Sequence, residues 1–153
     1  MEIFLKPSVR FVSLARRFVY DVYTDILKDT ELAWRLGMAT HELLENAVKY
    51  ASDGAMTLRI TTERVREQEM LVLSVSNTAS PANAQILAGA FEEMGRYEKM
   101  SDYYEMLVKR ASEREEGSGL GLGRIRMEAS MSLSCEVNDN VVCIKAVTPI
   151  GKA

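Results

Sequence analysis

The sequence predicts an α+β sandwich, one mixed sheet with helices on one face. Two observations carry that expectation. The chain opens with two long stretches of helical apolar spacing, and then carries two pairs of alternating strands. Between those pairs lies a mostly helical, highly charged stretch that ends in a run of glycines. The 153 residues are 47% hydrophobic and 27% charged, a composition that suits one globular domain and excludes a disordered or collagen-like chain. The domain is expected to span 1–153, and with this length nothing further is expected beside it.

After Pro7-Ser8, apolar residues recur at Phe11, Ala15, Phe18, Val22 and Ile26, which predicts an amphipathic helix over about 8–28. Asp29-Thr30 interrupts the pattern, and Thr30 is the expected cap of a second helix that ends near Ala51. Its buried stripe is expected to be Leu32, Leu36, Ala39, Leu43 and Ala47. The period then changes to two: Leu58, Ile60 and Thr62, then Leu71, Leu73 and Val75, read as antiparallel strands joined by the polar turn 65–69. Helices are expected near 82–95 and 100–114, and a further helix from the glycine run to about Ser130. Two last strands, 131–137 and 140–147, meet at Asn138-Asp139.

Nineteen Lys and Arg against 22 Asp and Glu leave a net charge of −3, so neither nucleic acid nor an anionic membrane is an expected partner. Cys135 and Cys143 lack metal-type spacing and fall in strands, where buried, inert thiols are expected. No secretory leader and no run of 18 apolar residues is seen, and a cytoplasmic location is expected.

Two constellations carry chemistry. On the second helix, Glu42 and Asn46 are four residues apart and share a face. A carboxylate and an amide oxygen so placed can activate a hydroxyl and help hold a hard cation such as Mg²⁺. Lys49 follows within one turn, where it can reach a phosphate or simply lie solvated. The second constellation is Gly117-Ser118-Gly119-Leu120-Gly121-Leu122-Gly123 at a helix start, where backbone N–H groups favour phosphate. No Lys follows the last glycine, so this is not a P-loop, and no strand precedes it as a dinucleotide fold requires.

Together, E-L-L-E-N-A-V-K-Y (42–50) and G-S-G-L-G-L-G (117–123), in this order, resemble the GHKL (Bergerat) ATP-binding superfamily, from about Pro7 to Val147. The resemblance implies that ATP and Mg²⁺ are the cofactors and that Asn46 coordinates the metal. By the same resemblance Gly117, Ser118, Gly119, Leu120 and Gly121 wrap the triphosphate, and 82–116 forms a lid. The family's D-x-G-x-G motif is degenerate here: Asn77-Thr78-Ala79-Ser80-Pro81 stands in its place. Asn77 can still accept from the adenine amino group, but as a neutral acceptor that forfeits about 1–2 kcal/mol, roughly 5–30-fold in affinity.

His41 is the single histidine and sits inside the nucleotide-site helix, poorly placed as a phosphate acceptor. That disfavours a self-contained histidine kinase and favours the stand-alone anti-sigma-type serine/threonine kinases. In that group Glu42's counterpart is the base on the attacking hydroxyl. The implied partners are a small regulatory protein as substrate and a sigma factor or other output protein, and the resemblance admits a homodimer. The alternative expectation is a non-catalytic interaction module of the same fold that lost useful ATP binding at 77–81. Large apolar residues between Phe91 and Leu107 are expected to pack the lid helices, or to form a partner surface.

Overall fold

The structure, a computed structural model, describes residues 1–6, 8–52, 55–113 and 119–151. The described elements run in the order β1 (Glu2–Leu5), α1 (Val9–Leu27), α2 (Thr30–Tyr50), β2 (Met56–Val65), β3 (Gln68–Thr78), α3 (Pro81–Gly95), α4 (Met100–Ser112), α5 (Leu120–Met127), β4 (Ser132–Asn138) and β5 (Val141–Pro149). The strands form one sheet in the order β1-β2-β3-β5-β4.

The α+β sandwich is as expected, but the sheet is not mixed: every described pairing is antiparallel. The reason lies in where the crossover lands. The chain leaves β3, passes through α3, α4 and α5, and returns as β4 in the same direction as β3. β4 is laid at the edge, and the β4–β5 hairpin turns β5 back into the gap, antiparallel to both neighbours. β1 is a strand that the sequence did not announce. Its four residues are too short for a periodic signal, and it is held by pairing with Met56–Arg59 and by the Arg59–Glu2 ion pair.

One face of the sheet turns Met56, Leu58, Ile60, Leu71, Leu73, Val75, Val142, Ile144 and Ala146 into the core beneath the helices. The other face is largely polar, with Glu2, Arg59, Ser74, Ser76, Glu136 and Lys145 around a shallow depression. That is the alternation of a half-solvated antiparallel sheet. The thiols of Cys135 and Cys143 are free and half-buried, and burial pushes that of Cys135 up to about 11.

α2 is the central helix. Leu32, Leu36, Ala39, Leu43 and Ala47 are all buried, as their spacing requires. Its cap is Asp29 rather than Thr30: the Asp29 carboxylate accepts from the Leu32 N–H at 2.9 Å, and Thr30 is the first helical residue. Arg35 ties α2 to the far end of the core, donating to the Ala129 and Ser130 carbonyls and to Thr148 Oγ1 at 2.5, 3.0 and 2.8 Å. α1 packs on α2 at Gly37, where an added Cβ would meet the Arg16 carbonyl oxygen at 3.4 Å. The stripe that marks α1 in the sequence is only in part the one it buries: Ala15 and Val22 are half-buried against the core. Val12, Val19 and Tyr23 face α2, whereas Phe11, Phe18 and Ile26 are exposed. No helix among the described residues is long and apolar enough to cross a membrane.

Candidate functional site

A cleft of about 450 Å³ opens between α2 and the α3–α4 pair, within the size range of ligand pockets. The buried stripe of α2 fixes the helix rotation, so Glu42, Asn46 and Lys49, at steps of four and three, present themselves along one wall. Gly119, Leu120 and Gly121 close one end of the cleft. Two segments about 70 residues apart in sequence therefore meet at one site. Gly117 and Ser118 lie outside the described residues.

Glu42 is buried with its side chain 8% exposed, and its Oε1 lies 3.1 Å from Arg124 Nη1 on α5. Burial raises its pKa above the ordinary carboxylate value, and Arg124 only partly opposes this because its side chain is 43% exposed and screened. Arg124 is also 3.6 Å from Glu128, which accepts from the Tyr104 hydroxyl at 2.8 Å. A polar chain thus links α2, α5 and α4 through the Glu42 carboxylate. Asn46 lines the cleft with its Nδ2 buried and without a partner among the described residues. Lys49 is exposed, with its ammonium 5.2 Å from the Tyr50 ring centroid.

The glycines have separate tasks. Gly119 adopts φ 73°, the left-handed region, as the cap of α5. At Gly121 a Cβ would stand 2.5 Å from Glu42 Oε2, so the absence of a side chain there lets α5 close on the carboxylate. At Gly123 a Cβ would stand 2.5 Å from Leu107 Cδ1, so that glycine seats α4 on α5. The run that reads as a phosphate loop therefore also serves helix packing.

The opposite wall holds residues that sequence reasoning did not single out as site residues. Leu87 and Ala90 of α3 and Tyr103 of α4 line it, with Arg110 of α4 paired to Glu93 of α3 at 2.8 Å. Tyr103 is buried, its ring 5.2 Å from that of Tyr97, so much of the apolar content of the insert is core packing. Arg124 had a faint signal, a charged residue one turn into the helix after the glycines. Its pairing with Glu42 is a tertiary fact.

Asn77 does not join the cleft lining. It is buried near the end of β3, opposite Val142, and its Nδ2 donates to the Thr78 carbonyl at 3.0 Å. The chain then turns at once into α3: the Ser80 hydroxyl accepts from the Asn83 N–H at 3.2 Å, with Pro81 as the first helical residue. The degenerate motif is thus used as a helix start. His41 does not line the cleft itself, but its Nε2 lies 3.3 Å from Glu45, which does, and its side chain is largely buried, with Nδ1 unpartnered among the described residues.

No family model matches the chain, and no curated protein matches it. Among solved structures, a chain of the SiaB–SiaC complex from Pseudomonas aeruginosa superposes with a TM-score of 0.65 at 18% identity, over 98% of this chain and 89% of that one. The likeness is one of fold. The catalytic domain of histidine kinase ThkA aligns at a TM-score of 0.47 and 13% identity, over 97% of this chain and 98% of that one. Acinetobacter baumannii histidine kinase AdeS aligns at 0.45 and 12%, over 98% of this chain and 68% of that one. Within this fold the cleft lies between the central helix and the helices that follow β3.

Proposed function

We propose that the chain is an ATP- and Mg²⁺-dependent protein serine/threonine kinase of a bacterial partner-switching system, acting in the cytoplasm on a small regulatory protein. The observation that carries this reading is the convergence of Glu42, Asn46 and the Gly119–Gly121 segment on one cleft. The cleft residues fit the nucleotide. Asn46 Nδ2 is a buried donor with no partner among the described residues, suited to a phosphate oxygen, and Gly121 keeps the helix start free of a side chain. Among the described residues no three His, Cys, Asp or Glu side chains converge on a metal site. Mg²⁺ would be held by the Asn46 amide oxygen together with phosphate oxygens and water, and would neutralise charge on the transferring group.

In this reading Glu42 accepts the proton of the incoming Ser or Thr hydroxyl. Burial raises its pKa toward the working pH, which suits a general base. Arg124 orients the carboxylate, and Lys49 and the α5 N-terminus hold phosphate oxygens. Residues 82–116 act as the lid, with α3 and α4 as its two helices. Catalysis rests on positioning. The likeness to a chain from a two-protein complex supports a small protein as partner, and a sigma factor or other output protein is proposed as the second client.

A second reading is favoured by one observation: Asn77 lies outside the cleft lining and Ser80-Pro81 start a helix where the adenine loop would be. A non-catalytic interaction module would show that pattern. Incubation of the protein and its partner with γ-labelled ATP separates the two. The kinase reading expects phosphoserine or phosphothreonine on the partner, lost in Glu42→Ala while ATP binding persists. Partner binding without any transfer, with ATP bound weakly or not at all, favours the module, and label on His41 contradicts the choice of kinase class.

A further inference from the structure

We propose that Tyr104 of α4 is a positioning residue for the Glu42 carboxylate, acting through Glu128 and Arg124, so that the base is aligned only while α4 is seated on α5. Glu42 is the base only in the kinase reading, on which this inference rests. The Tyr104 hydroxyl donates to Glu128 Oε1 at 2.8 Å, and Glu128 Oε2 lies 3.6 Å from Arg124 Nε. Arg124 Nη1 in turn lies 3.1 Å from Glu42 Oε1. These contacts run from the lid, across α5, to the central helix.

Each link depends on the next one outward. Glu42 is buried, so its orientation follows the guanidinium that reaches it. Arg124 is 43% exposed, on a long side chain that water would otherwise leave free to turn. A planar guanidinium gripped at both Nε and Nη1 has its plane fixed, whereas one gripped at Nη1 alone can swivel. The second grip is Glu128, one turn along the same helix and 39% exposed, a pair that is weak when left to itself in water. Tyr104 is what holds Glu128 in place. Its ring is the rigid end of the chain: a Cβ at Gly123 would stand 3.2 Å from Tyr104 Cδ2, so the ring lies against the backbone of α5. Leu107, one turn on, is buried and meets the same glycine. The hydrogen bond to Glu128 holds the phenol pKa above its ordinary value, which keeps the proton on Tyr104 as a donor. If α4 lifts, the hydroxyl leaves with it, Glu128 loses its tether, and the grip of Arg124 on Glu42 loosens.

The test joins a spectroscopic and an activity readout on Tyr104→Phe, Glu128→Gln and the double variant. Phe keeps the ring against Gly123, and thermal melts serve as the folding control. Glu128→Gln keeps an oxygen for the Tyr104 hydroxyl but turns an amide N–H₂ toward Arg124, which cuts the chain in its middle. NMR relaxation of the Arg124 Nε–H group reports whether the guanidinium is fixed; its order parameter is expected to be high in the wild type and to fall below about 0.6 in each variant. Single-turnover cleavage of Mg²⁺-ATP, with water in place of the Ser or Thr hydroxyl, is expected to slow about three- to tenfold, while the Kd for Mg²⁺-ATP changes less than about twofold. The double variant is expected to be no slower than either single one, since both changes break one chain. An Arg124 signal as rigid in Tyr104→Phe as in the wild type overturns the inference, as does cleavage at the wild-type rate. Losses that multiply in the double variant overturn the route through Glu128, and a rise in Kd that accounts for the slowing overturns the positioning role. A wild-type chain that cleaves no Mg²⁺-ATP, while Arg124 still loses its order in Tyr104→Phe, contradicts the kinase reading and supports the contact chain.

Discussion

Gly121→Ala probes the contact on which the site is built. The new methyl would lie 2.5 Å from Glu42 Oε2 and 3.5 Å from its Cδ, so the carboxylate has to retreat. Retreat is resisted because Oε1 is held at 3.1 Å by Arg124 and the side chain is buried. Overpacking of this kind costs about 1–3 kcal/mol. Replacing Gly by Ala near a helix start returns up to about 1 kcal/mol. The net loss is about 1–2 kcal/mol, a fall in Tm of roughly 2–8 °C for a chain of this size. The decisive version is a double-mutant cycle. In a Glu42→Ala background the nearest remaining neighbour is the Cβ at position 42, 3.8 Å away, an ordinary contact. There Gly121→Ala is expected to be neutral or stabilising, by up to about 1 kcal/mol. Urea unfolding of the four proteins measures the coupling. Equal effects of Gly121→Ala in both backgrounds would show that α5 does not close on Glu42 as described.

Glu42→Gln is expected to raise the neutral-pH Tm by about 2–4 °C, the usual return on about 1 kcal/mol. The sign follows from the raised pKa. At neutral pH the folded state bears a buried charge that the unfolded chain solvates, and this cost disappears as pH falls through the folded pKa toward the ordinary 4.5. The gap between variant and wild type should therefore close in acid, as scanning calorimetry at several pH values can test; a gap of opposite sign at neutral pH would mean that the Arg124 pair outweighs burial. Arg35→Met removes three hydrogen bonds from a charged donor and should cost about 3 kcal/mol, read from the urea midpoint. Ser80→Ala removes the α3 cap and should cost about 1 kcal/mol, with faster amide exchange in the first turn of that helix.

Much of the fold is legible in the sequence because α2 and the core strands each bury a regular stripe: Leu36, Ala39 and Leu43 at helical spacing, Leu71, Leu73 and Val75 at strand spacing. α1 shows the limit of that rule. Both of its apolar sides are strong enough to be core, and periodicity does not say which one meets α2. Sheet order is likewise a tertiary outcome, since the alternation of β5 is the same whether it pairs with parallel or antiparallel neighbours. At the site, Glu42, Asn46, Lys49 and the glycines were readable as two local motifs, and the structure brings their described members to one cleft. The Arg124 ion pair and the Arg110–Glu93 wall were not readable, because each joins residues on different elements. Ser80-Pro81, weighed as a damaged loop, carries an ordinary helix-cap signal.

The central claim is that the cleft takes ATP with Mg²⁺ through Asn46. Calorimetric titration of the wild-type chain and of Asn46→Ala, with and without Mg²⁺, tests it most directly. Saturable, Mg²⁺-dependent heat in the wild type and none in Asn46→Ala, with both chains melting alike, is the predicted result. No heat from the wild type at millimolar ATP, or equal heat from both chains, would contradict it.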